Sequence, residues 1–299
     1  MEPAEAVDAV NARFGRHPRR RALHSAGTWC RGTFTATSPT AARCRAAHLQ
    51  GESVPVVARL SNGAGHPRFP DNVPGIHGLA VKFELPDGAT DLVCQTVPRF
   101  SFRDQDEFIA FVRAGGSLLA PVKLAAFAAT HPRVVRDLPV NAPALRPLAA
   151  YATTRFYAIH AFRWLTAGGD GAWVRCDWRP EEREARLNPL EARRRGRFHL
   201  QEGVAERLQG GRPVRWTLDV QVAGPDDDPH DPSAHWPSER PRFDAGTLEL
   251  TEAIPDPEAD GRVVVFDPMR LTDGIEPSDD PVLRFRPRAY AVSVERRTS

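Results

Sequence analysis

The 299-residue sequence has no hydrophobic run long enough to cross a bilayer, no C-x-x-C pair and almost no net charge. Its most apolar window, SLLAPVKLAAFAAT (117–130), is broken by Pro121 and Lys123 and falls short of the roughly 20 residues a transmembrane helix needs. The N-terminus, MEPAEAVDAVNARFG, carries acids and lacks the apolar h-region of a secretory signal. Cys30, Cys44, Cys94 and Cys176 are too scattered for a zinc knuckle or a dithiol motif, so reduced thiols and a cytoplasmic location are expected. Forty Lys and Arg stand against thirty-eight Asp and Glu, giving a net charge of +2. Clusters such as HPRRR (17–21) and EARRRGR (191–197) are therefore locally offset and read as solvated faces, which argues against nucleic acid as a partner. Tyrosine is scarce as well: there are three, and the last, Tyr290, lies close to the C-terminus.

What is present is an ordinary globular composition, 41% hydrophobic and 26% charged, which excludes wholesale disorder. Residues 4–14 read as a short helix. Segments 27–37, 54–61, 78–85 and 90–97 are β-branched or apolar runs separated by Gly, Pro and Asp turns, a meander of strands. From Asp104 the period changes to that of helices, through Phe108, Phe111 and Val112 and then from Leu118 to Ala129, with interruptions at Gly115–Gly116 and Pro121. Strands resume at FYAIHAFRWL (156–165) and AWVRCDWRP (172–180), joined by the hairpin signal GGDG. A charged helix around 180–209 and a strand at 214–223 follow. The Pro-rich stretch 225–243 retains Trp236 and Phe243, and reads as a loop wrapped on the body rather than a linker. With no internal repeat and no domain boundary, the fold class expected is α+β: one domain over 1–299 with an antiparallel β-barrel core and flanking helices.

Four segments carry residues suited to chemistry. In RALHSAG (21–27), His24 precedes a small-residue turn; alone it reads as a structural or surface histidine. In ARLSNGAG (58–65), Arg59 sits at the end of an apolar strand, pointing inward or pairing with a carboxylate, and the missing third glycine excludes a dinucleotide fingerprint. In DLVCQTVPRFSFRDQDEF (91–108), Gln95, Thr96, Phe100 and Phe108 either line a cavity or fill a core. In GIEPSDDPVLRFRPRAY (274–290), Ser278 suits an N-cap with Asp279 and Asp280 in the first turn, Arg286 and Tyr290 share a helix face at i, i+4, and Pro287 suggests a bend.

Taken in order, these segments resemble the haem catalase superfamily, and within it the minimal catalase-related peroxidases. The resemblance is carried by R-x-x-H (Arg21, His24), R-x-S (Arg59, Ser61), the block GLAVKFELPDGATDLVCQTVPRFSFRD (78–104), HAFRW (160–164), WP (236–237), and GIEPS followed by R-x-x-x-Y (Arg286, Tyr290). It runs from about residue 16 to the C-terminus.

The resemblance implies haem b, with Tyr290 as the iron ligand and Arg286 as its charge partner. A phenol has a pKa near ~10, and a ferric ion and an adjacent guanidinium both favour its anion. It further implies His24 as the distal acid–base, Ser61 as the hydroxyl that orients it, and Arg21, Arg59 and Arg297 as donors to the haem propionates. Leu23, Phe100 and Phe108 would pack around the haem. Gln95 aligns with an asparagine of true catalases, one methylene shorter, so weak catalase activity is expected. The chain also lacks the long N-terminal arm and C-terminal helical region of the large family members, so a possible homodimer and an open site are expected. The implied activity is reduction of hydrogen peroxide or organic hydroperoxides by an organic electron donor, with no nicotinamide site and no membrane or nucleic-acid partner. The alternatives are a fatty-acid hydroperoxide isomerase or dehydratase of the allene-oxide-synthase kind, a true catalase, or a haem-storage protein.

Overall fold

The computed structural model describes residues 1–116 and 119–298. Ser117, Leu118 and Ser299 lie outside the described residues, and with them the start of the helix expected from Leu118.

Eight antiparallel strands close into a barrel. β1 (Gly27–Ala36), β2 (Ser53–Asn62), β3 (His77–Leu85) and β4 (Gly88–Gln95) form the meander. β5 (Phe156–Tyr157), β7 (Gly171–Pro180), β8 (Val214–Val222) and β9 (Arg242–Ile254) complete the ring, β9 pairing with β1 and β7 with β8. β4 meets β5 through one residue pair, Gln95 opposite Tyr157. β6 (Phe162–Leu165) and β10 (Ile275–Pro277) extend the sheet outside the ring. Period-2 alternation sends Phe34, Val56, Ala58, Leu60, Leu79, Val81, Phe83, Trp178, Trp216, Leu218, Leu248 and Leu250 into one buried core. Each large side chain buried there contributes roughly 1.5–3 kcal/mol, which lets so polar a chain close a barrel. At the β1–β9 bulge between Arg31 and Gly32, a Cβ on Gly32 would lie 1.9 Å from the Glu249 carbonyl oxygen, so only glycine allows the two backbones to approach.

Seven α-helices among the described residues flank the ring: α1 (Pro3–Phe14), α2 (Gln105–Gly115), α3 (Ala120–Thr130), α4 (Pro132–Ala144), α5 (Pro189–Arg194), α6 (His199–Gln209) and α7 (Pro281–Thr298). α2 begins where Asp104 accepts hydrogen bonds from the amides of Asp106 and Glu107 at 2.9 Å. α1, α2 and α7 bury a second cluster, including Ala6, Val10, Ile109, Val112 and Phe285, against which Leu23 and Phe108 pack.

The structure departs from the sequence reading in four places. The run 156–165 is two short strands with a break that contains His160. The helix read over 180–209 is instead α5 and α6; Pro189 at the first helical position and a capping box between Asn188 and Glu191 set the true start of α5. The strands β9 and β10 and the helix α4 have no counterpart in the sequence pattern. Finally, α7 is capped by Asp280, whose Oδ1 accepts the amides of Val282 (2.7 Å) and Leu283 (3.1 Å), whereas the Ser278 hydroxyl is buried without a partner. α7 continues through Pro287.

Candidate active site

The site lies at the β2 and β3 ends that carry Ser61 and Gly78, within electrostatic reach of Arg286 on α7. Backbone geometry presents His24: with φ at +54° it adopts the left-handed conformation that disfavours side chains with a Cβ. Arg59, 4% exposed, locks that turn by donating from its two terminal nitrogens to the carbonyls of His24 (2.8 Å) and Ser25 (3.3 Å). The His24 Nδ1 lies 2.9 Å from the Ser61 hydroxyl, and the ring rests on Gly78, where a Cβ would stand 2.8 Å from the imidazole. Ser61 and Gly78 are register partners across β2 and β3, so the sheet itself sets this seat. Burial first, and then the charges of Arg59, Arg286, His77 and Arg21, push the His24 pKa down to about 3. The imidazole is neutral at neutral pH.

Opposite it, α7 carries a directed line of hydrogen bonds. Arg286 Nε donates to the Tyr290 phenol oxygen at 2.7 Å, and Arg286 Nη1 lies 2.9 Å from His160 Nε2. A guanidinium can only donate, so His160 Nε2 is the acceptor and its proton sits on Nδ1, which donates to Asp280 Oδ2 at 2.6 Å. Burial lowers the His160 pKa against the opposing pull of Asp280, in keeping with that neutral tautomer. One cation thus stands between a phenol oxygen and a line ending on a carboxylate that is fully buried.

The remaining residues of interest fall around these two centres. Arg21 Nη1 pairs with Glu258 Oε2 at 2.5 Å and its Nη2 donates to the Val264 carbonyl at 2.7 Å; Arg297 Nη1 lies 3.4 Å from the other oxygen of Glu258. The guanidinium groups of Arg21 and Arg59 both lie over the Trp29 ring. Burial lowers the pKa of Arg59, to about 9, which still leaves a cation at neutral pH. The carboxamide of Gln95 is turned back on its own chain: Oε1 accepts the Val97 amide at 2.6 Å and Nε2 donates to the Val97 carbonyl. Thr96 accepts from the His77 amide. Phe100 and Phe108 are half-buried members of an aromatic cluster with Phe102. The structure therefore brings His24, Ser61, Arg59, Arg286 and Tyr290 to one region, places Arg21 and Arg297 together on Glu258, and ties the Gln95 amide to Val97.

The catalase family profile matches residues 11–299. The chain belongs to the catalase family. Among its catalase-family relatives, the catalase-related peroxidase of Mycolicibacterium paratuberculosis is 44% identical over 300 residues, covering 100% of this chain and 95% of that protein. The catalase-related peroxidase of Synechococcus elongatus is 32% identical, covering 100% and 89%. Of solved catalases, catalase A from Saccharomyces cerevisiae superposes with a TM-score of 0.82 at 22% identity, and a bacterial catalase with 0.80 at 20%, a likeness that bears on the fold. The chain covers 62% and 58% of those two longer chains.

Membership in the catalase family raises the question of whether these residues fit a haem, and three features of the structure do. Glu258 already seats a carboxylate between Arg21 and Arg297, the chemistry a propionate would present to the same donors. The Nε atoms of Arg59 and Arg297 are buried without partners among the described residues. Tyr290 presents an oxygen that accepts a charged hydrogen bond, as an anionic iron ligand requires. Four residues that matter here were not singled out from sequence: His160, Asp280, Glu258 and Gly78. His160 and Gly78 each stand in a stretch that carries the family resemblance, and Asp280 was read as a first-turn acid only. No signal pointed to Glu258.

Proposed function

We propose that the chain is a haem-dependent peroxidase that reduces hydrogen peroxide or organic hydroperoxides with an organic electron donor, and that its catalase activity is weak. The observation that carries this reading is the facing pair of arrangements: a neutral imidazole held by Ser61 on the barrel side, and the Tyr290–Arg286–His160–Asp280 line on the α7 side. Haem b, when bound, supplies the redox chemistry that divides the peroxide O–O bond. Tyr290 would hold its iron, Arg286 would donate its hydrogen bond to that ligating oxygen, and Arg21, Arg59 and Arg297 would take the propionates, with Leu23, Phe100 and Phe108 packing beside the macrocycle.

The chain's own residues do the proton work. In the tautomer whose Nδ1 proton is donated to Ser61, His24 Nε2 carries the free lone pair, takes a proton from the peroxide and returns it to the departing oxygen. With its pKa held down to about 3, that imidazole is unprotonated at neutral pH. Dismutation demands that a second peroxide be held in register, and the carboxamide suited to do so, Gln95, is committed to Val97 at both ends. Oxidation of an external donor has no such requirement, which favours peroxidation over dismutation.

The test is a steady-state comparison of dismutation with donor-dependent peroxide reduction on haem-reconstituted protein, alongside hemin titration of the wild type and Tyr290→Phe. The expected outcome is a tyrosinate-type absorption spectrum in the wild type that is lost in the variant, with peroxidation exceeding dismutation. An intact spectrum without turnover would reject the enzymatic reading.

A further inference from the structure

The helix pair α3–α4 is built inside out. The one side chain that α4 buries is Asp137, and it is held by the Ser101 hydroxyl at 2.9 Å, Arg136 Nε at 3.0 Å and His235 Nε2 at 2.8 Å. Most of its aliphatic side chains are exposed: Val135 and Leu138, one helical turn apart and off the Asp137 face, are 53% and 55% exposed, and Val140 is 37% exposed, while Val134 is half-buried. α3, an almost wholly apolar helix, buries only Phe127 and leaves Val122 67% exposed. An apolar helix is ordinarily buried, so this one lacks a cover. Among the described residues, five of the eight large aliphatic side chains that are exposed lie between 119 and 140.

Charge identifies the cover. Within residues 119–145 the only acid is Asp137, which faces inward, while Lys123, Arg133 and Arg136 are cationic. Neither Lys123 nor Arg133 forms an ion pair among the described residues. A two-fold pairing of this face with itself would set the same cations against each other with no acid between them. A surface that is apolar inside and negatively charged outside satisfies both halves of the pattern.

We propose that α3–α4 docks on an anionic lipid bilayer, its aliphatic side chains entering the interface and Lys123 and Arg133 meeting the headgroups. The hairpin is fastened to the aromatic cluster of Phe100, Phe102 and Phe108. Asn141 exchanges hydrogen bonds with the backbone of Arg99 (2.9 and 3.2 Å), and Phe127 packs on Phe102 and Phe111. Docking would bring Phe100, Phe102 and Phe108 toward the lipid and offer hydroperoxides of membrane lipids a short path to the site. The proposal stands on the surface alone and does not depend on haem binding.

The test is flotation of the full chain with vesicles of equal parts phosphatidylglycerol and phosphatidylcholine, compared with phosphatidylcholine alone. The wild type is expected to float with the anionic vesicles, less so as salt screens the headgroups. The double variant Val122→Asp/Leu138→Asp should lose at least roughly tenfold in partitioning. Leu190→Asp, on the exposed face of α5, should not change it, and circular dichroism of both variants would verify folding. Absence of binding to anionic vesicles, or binding indifferent to the double substitution, overturns the proposal. So does a stable dimer that sediments in the wild type and dissociates in the double variant, since the face would then be covered by a second copy.

Discussion

On the α7 side of the site, four side chains from two parts of the chain form an unbroken line of directed hydrogen bonds ending on a buried carboxylate. On the barrel side, His24 has one hydrogen bond to a neutral hydroxyl and otherwise depends on shape: a left-handed backbone, two carbonyls held by Arg59, and a glycine beneath the ring. One side is arranged to stabilise charge and the other to keep an imidazole uncharged. Loss of a donor or acceptor breaks the line, whereas added bulk breaks the seat.

Substitutions should separate the two sides. The largest effect is expected from His24→Ala, which should lower peroxide-dependent donor oxidation by roughly 10²–10⁴-fold in stopped-flow kinetics while hemin affinity stays within about threefold. Gly78→Ala keeps every functional group and moves only the seat. With its Cβ directed at the imidazole 2.8 Å away, it should cut kcat/KM by about 10–100-fold with an unchanged haem spectrum.

A smaller effect concerns stability. Burial pushes His48 down to about 4, and burial with the charges of Arg186 and His199 pushes His77 down to about 3. In the unfolded chain both titrate near ~6.5, so below that pH the unfolded state binds more protons and folding weakens as pH falls. At pH 5 each histidine should remove about 2 kcal/mol. Urea midpoints at pH 7 and pH 5 would show this, and His48→Gln should reduce the difference between them. The smallest effect on haem retention is expected of Asp280→Asn. Its one carboxamide oxygen can keep the α7 cap, but its NH2 then meets the His160 Nδ1–H and the line loses its last hydrogen bond, so haem retention should weaken by a few-fold and stability by about 1–3 kcal/mol. Asp280→Ala would add loss of the cap, about 1 kcal/mol more in thermal unfolding.

The meander β1–β4 was legible because its β-branched runs alternate and end in Gly, Pro and Asp. β9 was not, since the bulge opposite Gly32 leaves Thr251 and Glu252 exposed side by side and breaks the period-2 pattern, and a Pro-rich loop precedes it. His160 lay hidden in a continuous apolar run; nothing in FYAIHAFRWL marks the break between β5 and β6 that lets the imidazole leave the sheet. Asp280 was visible as a helix-start acid, but a second bond to a residue 120 positions away is a tertiary fact that no local pattern encodes. The pairing of Arg21 and Arg297 on Glu258 is of the same kind, joining three distant segments.

The left-handed backbone at His24 also bears on how the protein would respond to selection. Glycine there would relieve about 1–2 kcal/mol of torsional strain while deleting the imidazole. A library ranked by heat resistance alone should therefore enrich glycine at position 24, and a library ranked by turnover should eliminate it. The disagreement between those two rankings would mark position 24 as one where stability is given up for turnover.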